Sequence, residues 1–175
     1  MKDILYAPWR DEYVTREKIE GCVFCHVSEH HEKDEEQFVL YRDEHCFIVM
    51  NLFPYTPGHF MIIPHAHTDK LEELDSAVWL HMSNLAQKGV KLLKEGLNAQ
   101  GVNIGMNLGK AGGAGIAEHI HMHLVPRWEG DTNFITSLAD TRVYSTDPID
   151  LTIRTVVLVV IVAIFIFTLT RKKKS

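Results

Sequence analysis

Three histidines recur at alternate positions in the run Glu118-His119-Ile120-His121-Met122-His123-Leu124-Val125-Pro126-Arg127. In a β-strand successive side chains point to opposite faces. The run therefore predicts a strand with three imidazoles on one face and Ile120, Met122 and Leu124 on the other. A helix would scatter the same residues around its circumference. The apolar side can anchor the strand to a core while the imidazole row lines a site.

The flanking sequence supplies elements to build around that strand. Phe38–Tyr41 and Cys46–Met50 flank Asp43-Glu44 and predict a hairpin. Phe53–Gly58 carries the Pro and Gly of a loop, and His59–Ile63 predicts a further strand closed by Pro64. Leu71, Leu74, Val78, Met82 and Leu85 then recur at three- and four-residue steps, predicting one amphipathic helix from about Ser76 to Glu95. Asp75 is its expected N-cap, Gly96 its expected stop, and Trp79 and Met82 are expected in the core. Val102–Leu108 predicts another strand, weakened by Gly105. Residues 1–37 show no regular pattern, and 29–36, with His30 and His31, is expected to be a solvated loop.

Charge narrows the partners. All 23 Asp and Glu lie before residue 151, with only 13 of the 18 Lys and Arg, so residues 1–150 carry a net of −10 with His neutral. Such a body lacks the basic face that non-specific nucleic-acid binding requires. Phosphates would have to be held by a local site. Three cysteines are too few for a disulfide scaffold. Met1–Arg10 lacks the apolar stretch of a signal peptide, so a cytoplasmic catalytic domain is expected.

Three groups carry chemistry. A neutral imidazole is a nucleophile toward phosphorus and a good leaving group afterwards. His121, at the centre of the row, is the nucleophile candidate. His119 and His123 stand about 6.6 Å away along a strand, placed to orient substrate or bind an ion. Gly109, Gly112, Gly113 and Gly115 let backbone amides approach phosphate oxygens, with Lys110 as a nearby cation, although a merely flexible loop has the same composition. Cys22 and Cys25 form a C-x-x-C pair, either two buried thiols or half of a zinc site completed by His65 or His67 and by His119.

The run His119-Ile-His121-Met-His123-Leu-Val resembles the signature of the histidine triad family of nucleotide hydrolases and transferases. Asn51-Leu-Phe-Pro-Tyr-Thr-Pro-Gly58-His59 resembles the family's ribose-holding strand and turn, and Asn103-Ile-Gly-Met-Asn107-Leu-Gly its strand before the triad. Tyr6-Ala-Pro-Trp-Arg10 and Pro126–Phe134 resemble the branch of diadenosine tetraphosphate phosphorylases and ATP adenylyltransferases. The resemblance covers residues 1–145. It implies an α+β fold, with an antiparallel β-sheet and one long α-helix, paired into a homodimer. It also implies that His121 attacks the α-phosphorus to form a nucleotidyl-histidine, supported by His119 and His123. By the same implication Asn51 binds the ribose, Asn107 lies near the phosphates, and Phe47 and Leu52 line the pocket for an adenine nucleotide. A structural zinc on Cys22, Cys25, His67 and His119 is implied, His67 fitting better than His65; a divalent cation is a second candidate cofactor. Phosphate as acceptor, water as acceptor, and a membrane-tethered nucleotide-binding adaptor without turnover are the three functions to separate.

One position departs from the family. Many members have a polar residue three positions before the first triad histidine; here Ile116 stands there, after Gly115. Backbone amides near Gly115 are the expected substitute in phosphate binding.

The C-terminus is a separate element. After a linker at 146–154, Thr155–Thr170 is 16 residues without a charge, followed by a basic tail at 171–175. As a helix it spans about 24 Å, and about 30 Å if it starts at Leu151 and Arg154 snorkels. A membrane anchor through residues 151–174 is expected, with the body in the cytosol and the tail crossing or lying at the interface. Its β-branched residues leave a buried strand as the alternative.

Overall fold

In the computed structural model, residues 21–131 are described. Helix α1 (Val23–Glu29) and a 3-10 turn (His31–Lys33) precede strands β1 (Val39–Arg42), β2 (Cys46–Met50) and β3 (Phe60–Pro64). A second 3-10 turn (Leu71–Glu73), the long helix α2 (Ser76–Leu97), β4 (Gly101–Gly105) and β5 (Met122–Arg127) complete the order. The strands form one antiparallel sheet in the order β1-β2-β3-β5-β4. This is the expected α+β architecture.

Alternation within the strands sorts the core into two layers. Cys46, Ile48, Phe60, Ile62, Ile120, Met122 and Leu124 face α2 and pack with Met82, Leu85, Ala86, Leu92 and Leu93. Phe47, Val49, Met61 and Ile63 point the other way and pack with Phe24 and Val27 of α1. The approach of α2 is close: a Cβ on Gly89 would stand 2.7 Å from Phe60 Cζ and 2.9 Å from Leu124 Cδ2. Glycine is needed there because of the distance to the sheet.

Helix α2 begins as expected, with the Asp75 carboxylate accepting from the N–H groups of Ala77 and Val78. It ends differently. Gly96 stays helical, and the stop is Asn98 in the left-handed conformation (φ 53°). Asparagine tolerates that region where most side chains do not. Met82 is fully buried as expected, but Trp79 is 39% exposed and does not belong to the core. It lies near the start of α2, where Ser76, Ala77 and Leu80 are exposed too.

Three further expectations change. The N-terminal part of the described chain holds α1, a helix only seven residues long, where no regular pattern was expected. Strand β4 ends at Gly105 and not Leu108. The ladder of β5 begins at Met122, so His119 and His121 lie in the extended segment that leads into the strand, and only His123 is within it. Packing keeps the alternation across that boundary, with Ile120 facing α2 like Met122 and Leu124. Residues 1–20 and 132–175 are outside the described residues; the Tyr6–Arg10 segment, the end of the Pro126–Phe134 run, the linker, the apolar stretch and the basic tail all fall there.

Candidate functional site

Register places the third histidine. His123 pairs with Met61 of β3 on one side and Gly105 of β4 on the other. A Cβ on Gly105 would meet nothing within 4 Å, so the strand position beside His123 is open space. His119 and His121 are buried, and His123 is half-buried.

Hydrogen bonds fix the tautomers. The ring of His121 has its Nδ1 2.8 Å from the His119 carbonyl oxygen. A carbonyl only accepts, so Nδ1 carries the proton and Nε2 keeps its lone pair. His59, fully buried immediately before β3, accepts from the Tyr55 N–H at Nδ1 (3.2 Å). Its Nε2 is then the donor, and it lies 2.9 Å from His123 Nδ1. That leaves His123 with its proton on Nε2. The chain of contacts gives two histidines with opposite tautomers: His121 offers a lone pair at Nε2, and His123 offers a proton there. Their rings meet edge to face, with centroids 4.8 Å apart.

Burial keeps this group neutral. It lowers the pKa of His59 from 6.5 to about 3 and that of His123 to about 4, and in both cases the neighbouring histidines add to the effect. It also lowers His121, against the His119 carbonyl, which favours the charged form. A neutral imidazole is the form that attacks phosphorus.

His59 was not singled out from the sequence as a site residue. Its signal is its parity with Met61, the residue paired with His123. Parity alone is legible in the sequence; the register that brings His59 against His123 is not. Tyr55 was also missed. It is 50% exposed and stacks on His59 with ring centroids 4.9 Å apart.

The remaining candidates divide. Asn51 accepts from the Phe53 N–H at Oδ1 (2.9 Å), and its Nδ2 lies 3.3 Å from His59 Nδ1, so it ties the turn to the histidine row. Phe47 is fully buried in the layer beneath, against His65 and the Arg42 guanidinium. Leu52 and Asn107 are half-buried, and Gly115 is exposed. In the glycine-rich stretch, Gly109 (φ 66°) and Gly113 (φ 86°) adopt conformations that favour glycine, and a Cβ on Gly112 would stand 2.4 Å from the Leu108 carbonyl oxygen. The stretch is thus a defined turn, closed by bonds from Gly113 N–H to Lys110 O and from Ala114 N–H to Gly109 O. Lys110 is exposed. His30 bonds the His26 carbonyl through Nδ1, and His31 is exposed.

Helix α1 brings the cysteine pair to the same place. Cys25 Sγ lies 3.1 Å from His67 Nδ1, and Cys22 Sγ lies 3.4 Å from His119 Nδ1. The ligand atoms of Cys22, Cys25, His67 and His119 are all within 4.8 Å of one another. His119 Nε2 donates to the Pro64 carbonyl (2.9 Å), which leaves Nδ1 free to bind a metal. Two thiols and two imidazoles are the donor set of a tetrahedral zinc site, and these four fit it. His65 is directed elsewhere: it accepts from Ser28 Oγ and donates to the Asp43 carbonyl. Between the two cysteines, Phe24 packs on the rings of both His119 and His121.

Comparison with known proteins places the chain in a family. The profile of the HIT domain family matches residues 32–130. A protein of Mycobacterium tuberculosis named AP-4-A phosphorylase is 40% identical over 110 residues, 63% of this chain and 56% of that protein. An adenylylsulfatase of Arabidopsis thaliana is 30% identical over 110 residues, 63% of this chain and 54% of its own length. The chain thus spans about half the length of these two relatives. Among solved structures, a zinc-bound histidine triad family protein of Mycobacterium smegmatis is similar with a TM-score of 0.62 and 28% identity, over 82% of this chain and 95% of that one.

Proposed function

Because this chain belongs to the HIT domain family, we propose that it is a nucleotidyl transferase that cleaves dinucleoside polyphosphates such as diadenosine tetraphosphate, with phosphate as acceptor. One observation carries the mechanism: the His121 Nδ1–H bond to the His119 carbonyl leaves a lone pair on Nε2. That nitrogen attacks the α-phosphorus. A P–N bond forms, the P–O bond to the leaving polyphosphate breaks, and the leaving oxygen takes the electron pair. His123 Nε2–H, held by the His59 contact at its other nitrogen, donates a hydrogen bond to that oxygen and stabilises the polyphosphate anion as it leaves. Inorganic phosphate then attacks the nucleotidyl-histidine through an anionic oxygen, the P–N bond breaks, and its electron pair returns to His121 Nε2. His121 is regenerated with its lone pair.

The similarity to AP-4-A phosphorylase supports phosphate as the acceptor. The likeness to an adenylylsulfatase supports a second reading, in which water takes the same place in the second step. The two share every residue of the first step, so products separate them. Incubation with diadenosine tetraphosphate and phosphate should give ADP and ATP; AMP and ATP, formed at the same rate without phosphate, would establish the hydrolase instead. Binding without product would support the adaptor reading.

A zinc on Cys22, Cys25, His67 and His119 belongs to the same proposal, supported by their donor set and by the zinc-bound neighbour. When bound, it would be a structural cross-link. The residues around it act on the nucleophile through position: His119 supplies the carbonyl that orients His121, and Phe24 covers both rings. Pairing into a homodimer is supported by β4, an edge strand of the sheet with Ile104 50% exposed. Light scattering should then give twice the chain mass.

A further inference from the structure

A second group of metal-binding side chains lies on the opposite face of the sheet from the histidine row. Cys46 points toward α2, away from the face that Phe47 and Val49 share with α1. Beside it are Asp43, in the turn between β1 and β2, and His81, on the second turn of α2. Their ligand atoms all lie within 4.8 Å of one another.

Donors converge on one carboxylate. Asp43 Oδ1 accepts from the N–H groups of His45 (2.9 Å) and Cys46 (3.1 Å), and Oδ2 lies 2.6 Å from His81 Nε2. Three donors thus meet one carboxylate, with the Cys46 thiol close beside it. The protons of Cys46 and His81 are ones that a divalent cation can replace.

We propose that Asp43, Cys46 and His81 form a second cation site, for an ion of the zinc class, that clamps the β1–β2 turn to α2. The donor set selects the ion. One thiolate, one imidazole and one carboxylate suit zinc, whereas magnesium and calcium take oxygen ligands. Bond lengths of about 2.0–2.3 Å place neighbouring ligand atoms of a tetrahedral site about 3.3–3.8 Å apart. The donors reach that spacing if Oδ2 and His81 Nε2 open slightly and the wider pairs, none beyond 4.8 Å, close by at most about an ångström. The backbone N–H groups that hold Oδ1 keep the carboxylate oriented meanwhile. Cys46 forms the fully buried floor, and the His81 side chain, 33% exposed, forms the rim through which an ion and a fourth ligand, water, would enter. His45 stands beside the rim, with its ring centroid 5.1 Å from that of His81.

The test reads metal rather than turnover, so it is independent of the proposed activity. The full chain, stripped with a strong chelator, is titrated with Co2+ and followed by thiolate-to-cobalt absorption in the near ultraviolet. The variant Cys22→Ser/Cys25→Ser should retain one Co2+ equivalent with a thiolate band and a rise in melting temperature. His81→Gln, at a partly exposed position, should lose that equivalent while keeping its circular dichroism. Should the double variant fail to fold, the wild type should bind one equivalent more than His81→Gln. Equal stoichiometry and spectra in wild type and His81→Gln would overturn the proposal, as would complete loss of the thiolate band in a folded Cys22→Ser/Cys25→Ser protein.

Discussion

His121 and His123 are chemically alike and two residues apart, yet the fold gives them different tautomers through one atom each. A carbonyl holds the proton of His121 on Nδ1, and a neighbouring N–H holds the proton of His123 on Nε2. Burial has a consequence for stability at this scale. Folded His59 and His123 titrate near 3 and 4, well below the 6.5 of an unfolded histidine. Between those values the unfolded chain binds protons that the native chain refuses, so stability is full above about pH 6.5 and falls as pH drops toward 4. His59 alone should cost about 2 kcal/mol between pH 6.5 and 5, and half-buried His123 less because solvent screens it. Urea unfolding at the two pH values checks this; a midpoint that does not move would contradict it. Gly105 gives the converse expectation. Gly105→Val meets no protein atom, so the melting temperature should hold within a few degrees, whereas kcat/KM should fall roughly tenfold or more as the side chain fills the space beside His123. Unchanged kinetics would place the substrate elsewhere.

At the scale of elements, the close seat of α2 on the sheet gives a direct test. Gly89→Ala improves helix propensity by about 1 kcal/mol, but its Cβ would overlap Phe60 and Leu124, so net destabilisation of about 1–3 kcal/mol is expected in denaturant unfolding. A stabilised variant would show that the helix stands further off. Much of this level was legible beforehand. The two periods of hydrophobicity marked the β1–β2 hairpin, β3 and α2, and the alternation at 119–124 marked which side of that segment faces the core. What escaped was set by tertiary contacts. Helix α1 is too short to show a period, and it is held by Phe24 and Val27 packing under the sheet. The beginning of β5 depends on where its neighbours end, since β3 and β4 pair with it only from Met122 onward. His59 escaped for the same reason: its partner is 64 residues away, and only strand register joins them.

For the whole molecule, the sheet separates two groups of side chains by face. One face carries the histidine row and the Cys22, Cys25, His67 and His119 set; the other carries α2 and the Asp43, Cys46 and His81 group. No helix among the described residues is long and apolar enough to cross a membrane. The apolar residues 155–170 lie beyond them, so the proposed anchor rests on sequence alone. In cell fractionation the full chain should sediment with membranes and a chain ending at residue 150 should not. A full chain recovered wholly in the supernatant would end the anchor proposal.

The central claim is that His121 Nε2 becomes covalently bonded to the α-phosphorus. The most direct test is to mix the protein with diadenosine tetraphosphate without phosphate, quench in base, where a phosphoramidate survives, and map the adduct by peptide mass spectrometry. The account predicts one adenylyl group on His121, discharged by added phosphate, and none in His121→Asn. An adduct on another residue, or unimpaired turnover by folded His121→Asn, would contradict it.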